Sequence, residues 1–289
     1  MIKNTMKSIL DAARSLFKTW ASLAIFAGLY ALLLATLYGF IATREATVTQ
    51  VLLTLLFAAS APVIFFLLQA TIINRARTGR INWYRALRDS CKFAVIALPV
   101  ILAGLMLASL LNRWQAHFPA PHVTQAAWQL TGAQPVPPPA GRAVIPQPIH
   151  KPTFIFGTLR LLLFGLALPL TLIQLWVEVD RRDWLKLIRI AGVRANLSRL
   201  AHLFARAFAP KSVLTYALGL VVFAVLPYVF LFAHVPFKGM RTEIAVFVTR
   251  LALTFVCTLF GWVITLSTFA QRGRHRPLAS REQQPQESA

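Results

Sequence analysis

Two arginines carry the charge that is hardest to place in this chain. Arg160 and Arg250 each lie a few residues inside one end of a long apolar run. A guanidinium at mid-helix in a bilayer costs about 2.5–3.5 kcal/mol on insertion scales, which excludes a central position facing lipid. Two such groups at similar depth have the chemistry to grip one phosphate or carboxylate, since each presents a planar fork of N–H donors. The alternative is that each side chain snorkels separately to the headgroups, at little cost.

Other reactive types are present without a reactive pattern. The nine acids, Asp11, Glu45, Asp89, Glu178, Asp180, Asp183, Glu243, Glu282 and Glu287, all fall at the ends of apolar runs or outside them. Proton-coupled transport commonly needs a carboxylate within the membrane, so the distribution argues against it. His117, His122 and His150 all lie in the outer loop and are expected to be chance loop histidines, not metal ligands. Cys91 and Cys257 fall in different predicted environments, which excludes a disulfide or zinc reading. No acylation serine motif, phosphate-binding glycine loop or pair of intramembrane carboxylates occurs. The expectation is a protein with no catalytic residue, cofactor or metal.

The elements that must position these residues are membrane spans. Of 289 residues, 57% are hydrophobic and 13% charged, too apolar a balance for one soluble core. Several runs exceed the roughly 20 apolar residues that cross a bilayer. They predict an all-α polytopic membrane protein, one domain over 1–270, with spans at about 19–41, 50–73, 93–111, 154–177, 213–234 and 244–270. The first run is longer than a signal-peptide core of about 7–15 residues and is expected to remain as a span. Pro62, Pro99, Pro169 and Pro227 predict one kink in each of spans two to five.

A formal charge of +21 would suggest nucleic acid in a soluble protein. Here the cations stand beside spans, with no separate basic module, so anionic headgroups are the expected partner and nucleic acid is not. Counting Lys and Arg places 22 of the 30 on one side of the membrane and six on the other, with Arg160 and Arg250 inside spans. The bias predicts that both termini are cytoplasmic. Strong bias and compact loops suggest a bacterial inner membrane. The Pro-rich segment 112–152 becomes an outer loop, and the polar tail 271–289 is predicted to be disordered.

The cytoplasmic segments are amphipathic. In the first, Lys3, Lys7, Asp11, Arg14 and Lys18 form one helical stripe, while Met6, Ile9, Leu10, Ala13, Leu16, Phe17 and Trp20 fall on the other side. This reads as an interfacial helix. A second is predicted within 74–92, where Tyr84, Leu87, Cys91 and Ala94 share one face and Arg85, Arg88 and Lys92 another. In the stretch 180–211, Arg182, Lys186 and Arg189 oppose Trp184, Leu187, Ile188 and Ala191, but beyond Gly192 the apolar and charged faces change places. One straight helix cannot bury both faces on one membrane surface, which predicts a hinge at Gly192 and a folded elbow. Arg182, Lys186 and Arg189 join Arg160 and Arg250 as candidate anion or headgroup contacts. Arg14 precedes Lys18, Arg88 precedes Lys92, and Arg206 precedes Lys211, each before an apolar run, so a threefold repeat of helix plus two-span hairpin is one reading; shared physics at the membrane surface is the other.

The opening Ser8-Ile9-Leu10-Asp11-Ala12-Ala13-Arg14-Ser15-Leu16-Phe17-Lys18-Thr19-Trp20, with Arg77-Thr78-Gly79-Arg80 and Arg85-Ala86-Leu87-Arg88, resembles uncharacterised bacterial six-span membrane proteins. Those are similar to the integral-membrane domain of some glycerophosphodiester phosphodiesterases. The resemblance implies a membrane module and transfers no catalytic residue. The expected function is a non-enzymatic multi-pass module for scaffolding, or for meeting anionic lipid or an unidentified protein partner at the cytoplasmic face. The alternative is a transporter or channel for a small anionic or amphipathic solute.

Overall fold

The computed structural model describes residues 2–43, 47–118, 151–179, 204–232 and 240–272. Arg182, Lys186, Arg189 and Gly192, most of the Pro-rich loop and the tail from 273 lie outside them. The described residues are helical and contain no strand. Six helical segments, Trp20–Ala42, Val48–Thr78, Trp83–Ala116, Phe154–Val179, Pro210–Phe232 and Arg241–Gln271, are long and apolar enough to cross a membrane.

We number the helices α1 (Ile2–Phe17), α2 (Trp20–Ala42), α3 (Val48–Thr78), α4 (Trp83–Ala116), α5 (Lys151–Leu162), α6 (Leu168–Val179), α7 (Pro210–Leu220), α8 (Leu226–Phe232) and α9 (Met240–Arg272). A π turn, Leu163–Ala167, joins α5 to α6, and a second, Val221–Val225, joins α7 to α8. In each, the amide just after the turn reaches back five residues, Leu168 to the Leu163 carbonyl and Leu226 to the Val221 carbonyl. Each turn is followed by a leucine and then a proline, Pro169 or Pro227. The proline ring clashes with the carbonyl four residues earlier and supplies no N–H, so widening the preceding turn relieves the clash. Pro62 and Pro99 lie inside α3 and α4, where no π turn is assigned.

The chain clusters into two compact units, one formed by Met1–Leu98 with Leu170–Ala289 and the other by Pro99–Pro169. In the first unit, burial concentrates at the ends of the helices that adjoin Lys- and Arg-rich sequence. Leu68–Arg75 of α3 is buried on every face, as are residues 170–177 of α6, whereas Leu52, Leu53, Leu55 and Leu56 at the far end of α3 are exposed. Both stretches bury polar side chains among apolar ones, Gln69, Thr71, Asn74 and Arg75 in α3 and Thr171 and Gln174 in α6. Polar groups buried this way need hydrogen-bond partners, while the apolar ones close the packing. In α6 they converge on Trp176, whose ring stacks on Phe93 at 5.9 Å and meets the edges of Phe65 and Phe66, both at 6.1 Å.

Helix ends follow local chemistry. Thr47 and Gln50 form a capping box at the start of α3, the Gln50 N–H donating to Thr47 Oγ1 and the Thr47 N–H to Gln50 Oε1. Gly79, at φ 77°, ends α3 in the left-handed conformation that glycine adopts without a Cβ clash. Asn74 Nδ2 donates to the Asn82 carbonyl, and Asn82 Oδ1 accepts from the Arg85 N–H to open α4. From Trp83 no breaker intervenes before Pro99, so α4 runs unbroken into the third span. The separate interfacial helix expected within 74–92 is therefore divided between the end of α3, a turn and the opening of α4.

Helix α7 and the π turn after it pack on α9 through glycine. A Cβ on Gly261 would lie 2.8 Å from the Phe223 backbone nitrogen and 3.0 Å from its Cα, in the middle of the π turn. One on Gly219 would collide with Thr265. Small residues let membrane helices approach to backbone contact, where dispersion replaces the missing hydrophobic drive.

Candidate functional site

Helix α1 is the element whose surface is most unusual. Thr5, Ala12 and Leu16 are buried, while Met6, Leu10 and Phe17 are exposed, with Trp20 just beyond the helix 77% exposed. Lys3, Lys7, Asp11 and Arg14 are exposed on a third stripe. At about 100° per residue these stripes are centred roughly 100° apart. The apolar side expected from sequence is thus two surfaces, one against the protein and one uncovered. The buried side packs on α2, α7 and α9, and Phe17 stacks on Phe260 of α9 at 5.4 Å.

Arg75 anchors the end of this helix. The residue is 7% exposed and its Nη2 donates to the Ser15 carbonyl at 2.9 Å and the Leu16 carbonyl at 3.5 Å. The Thr19 amide bonds to Leu16 in place of Ser15, so the guanidinium serves a terminal carbonyl that the helix leaves free. A cation there also complements the negative end of the helix dipole. In sequence Arg75 is one more cation of the segment 74–92; its partner lies 60 residues away, and no local pattern marks it.

The opening of α4 shows the same division of faces. Ala86, Asp89, Ser90, Phe93 and Ala97 are buried, whereas Tyr84, Leu87 and Cys91 are exposed. Asp89 is held by Lys92 Nζ at 3.2 Å, Arg85 Nε at 3.6 Å and Arg88 Nε at 3.7 Å. Three cations around one carboxylate leave this edge positive and fix where the charge sits. A signal was available in the sequence, because positions −4 and +3 from Asp89 share its helical face. Just before α7, Phe204 and Phe208 are exposed, Ala207 is buried, and Arg206 Nη1 pairs with Glu178 Oε2 at 3.6 Å.

A polar seam runs behind these surfaces. The Trp262 indole N–H donates to Gln69 Oε1 at 2.8 Å, Gln174 Nε2 lies 3.5 Å from Ser212 Oγ, and Arg77 Nη2 donates to the Val177 carbonyl. Gln69, Gln174 and Ser212 are all buried. Gln69→Leu removes the acceptor for a half-buried indole and should cost about 1 kcal/mol or somewhat more. Thermal unfolding in detergent checks this. Adding Trp262→Phe should recover much of the loss, because both partners are then apolar, and additive losses would show that the bond contributes nothing.

The two membrane arginines fall in different units. Arg160, in the second unit, is half-buried and its Nη2 donates to Gln115 Oε1 of α4, while its Nε is buried with no partner. Arg250, in the first unit, is likewise half-buried on α9, and no described residue gives it a hydrogen bond or ion pair. Among the described residues no group of three or more His, Cys, Asp or Glu stands close enough to hold a metal ion.

Six apolar helices, with an amphipathic helix before the first, define the class: a multi-pass helical membrane protein. Neither a protein-family model nor a curated protein nor a solved structure matches the chain.

Proposed function

We propose that this protein is a non-enzymatic multi-pass module of a bacterial cytoplasmic membrane, with both termini cytoplasmic, that presents amphipathic surfaces to anionic lipid or to a protein docked there. One observation carries the reading: α1 has a protein-facing stripe, an uncovered apolar stripe and a cationic stripe in that order around its axis. A helix lying in the headgroup layer beside a bundle meets those three surroundings, namely protein, acyl chains and charged water. The openings of α4 and the turn at 204–208 support it by pairing exposed apolar side chains with cations. Arg182, Lys186 and Arg189 would add to the same basic surface, and a threefold repeat of such helix-plus-hairpin units fits it. The likeness to the integral-membrane domain of some glycerophosphodiester phosphodiesterases agrees with a module of this kind.

The test uses the full chain with Cys91 and Cys257 replaced by serine and a spin label at Leu10→Cys. In vesicles containing phosphatidylglycerol the label should be shielded from water. Each cation near such a surface contributes about 1 kcal/mol. Changing Lys3, Lys7, Arg14 and Lys18 to glutamine should therefore expose the label again. Equal water exposure in neutral and anionic vesicles would remove the basis for the reading.

A second reading, a transporter or channel for a small anionic or amphipathic solute, is favoured by the buried pair Gln174 and Ser212 and by the two π turns. Helix interruptions of this type are frequent at functional sites. A cysteine at Gln174 that resists water-soluble thiol reagents in the intact membrane would count against a water-filled path.

A further inference from the structure

We propose that Arg160, oriented by Gln115, binds a phosphate oxyanion, the chemistry of a phosphodiester lipid headgroup or of free phosphate. The site lies in the unit Pro99–Pro169, and the proposal does not rest on the reading of α1.

The reason is an uncompensated charge. No Asp or Glu occurs between Asp89 and Glu178, so the unit Pro99–Pro169 contains no carboxylate. Among the described residues, Arg160 has the neutral Gln115 amide oxygen as its hydrogen-bond partner, and its buried Nε has none. A guanidinium has five N–H donors in a fixed fork, and one amide acceptor neutralises neither the charge nor the remaining donors. The bond to Gln115 holds one arm and Nε is closed off from the surroundings, so an external anion would meet the remaining terminal N–H donors.

Depth and space agree. Trp114, adjacent to Gln115, and Phe154, six residues before Arg160, are both exposed, in the manner of an aromatic belt at headgroup level. Gly157, one turn from Arg160 on the same face of α5, is exposed, and a Cβ built there would meet nothing within 4 Å. A headgroup beside Arg160 therefore has room along the helix. The bidentate geometry of arginine on phosphate adds specificity to charge, which a lysine would not reproduce.

Native mass spectrometry of the full-length protein in detergent tests the proposal, with phosphatidylglycerol as ligand, dioleoylglycerol as a lipid without phosphate, and inorganic phosphate as competitor. Arg160→Met should weaken one phosphatidylglycerol by about tenfold and leave dioleoylglycerol unchanged. Arg160→Lys should weaken it severalfold, and Gly157→Leu, which fills open space without disturbing packing, should weaken it while Arg160 remains. Arg250→Met is the control and should bind as the parent does. Competition by phosphate identifies a free-anion site, and its absence identifies a headgroup site. Parental phosphatidylglycerol affinity in Arg160→Met, or in Arg160→Lys if the first variant does not fold, overturns the proposal.

Discussion

Gly261→Leu is expected to separate spans five and six, with a loss of about 3 kcal/mol or more. Overpacking a well-filled contact typically costs 1–3 kcal/mol when side chains can move aside. Here a Cβ would press on the Phe223 backbone nitrogen and Cα, which cannot rotate away. The displacement would also disturb Phe223, whose ring meets Trp262 at 5.3 Å and Tyr216 at 6.0 Å. The strain would thus spread to the Trp262–Gln69 bond. Gly28→Leu is the matching control, since nothing lies within 4 Å of a Cβ there. Thermal unfolding in detergent, followed by circular dichroism, should show a large drop for the first substitution and little for the second. Equal midpoints would mean that the close approach is not a determinant of stability.

Arg75→Met is expected to loosen α1 while leaving the spans assembled. Methionine keeps much of the apolar stem but gives up the charged donor to the Ser15 and Leu16 carbonyls. Hydrogen bonds from charged groups contribute about 1.5–3 kcal/mol, so amide exchange in α1 should rise by roughly ten- to a hundredfold. Exchange in α6, buried around Trp176, should hardly change. Hydrogen–deuterium exchange with peptide-level readout separates the two regions. Protection of α1 equal to the parent's would show that packing on α9, with the Phe17–Phe260 stack, holds the helix without its cap. The lipid reading of α1 makes a separate demand, that loosening it changes how the protein distributes between neutral and anionic vesicles.

The span pattern was legible because crossing a bilayer demands a long apolar run whatever the neighbours do. Span boundaries shifted mainly by extension: the run expected at 93–111 became part of a helix from Trp83 to Ala116. Apolar sequence marks what lies in lipid, whereas a helix ends where its backbone finds a cap or a breaker. Gly79 supplied one such stop and Asn82 one such start. Of the four prolines within spans, Pro169 and Pro227 are preceded by a π turn and Pro62 and Pro99 are not. No feature of the sequence separates the two pairs.

The candidate site was legible in part. Periodicity found the cationic stripe of α1, because charge at three- and four-residue steps needs no partner to define a face. It did not divide the apolar side, since Leu16 and Leu10 look alike until something packs against one of them. Arg160 stood out as a charge within an apolar run, but its tie to Gln115 across 45 residues did not. By itself, then, the sequence determined the number of spans, the amphipathic surfaces and the places where charge is out of keeping with its surroundings. These follow from water, lipid and helical geometry alone. Tertiary structure decided which apolar stripe is covered, which carbonyl Arg75 serves and which glycine must remain a glycine. Each of those depends on a contact between residues far apart in the chain, for which local propensity carries no information.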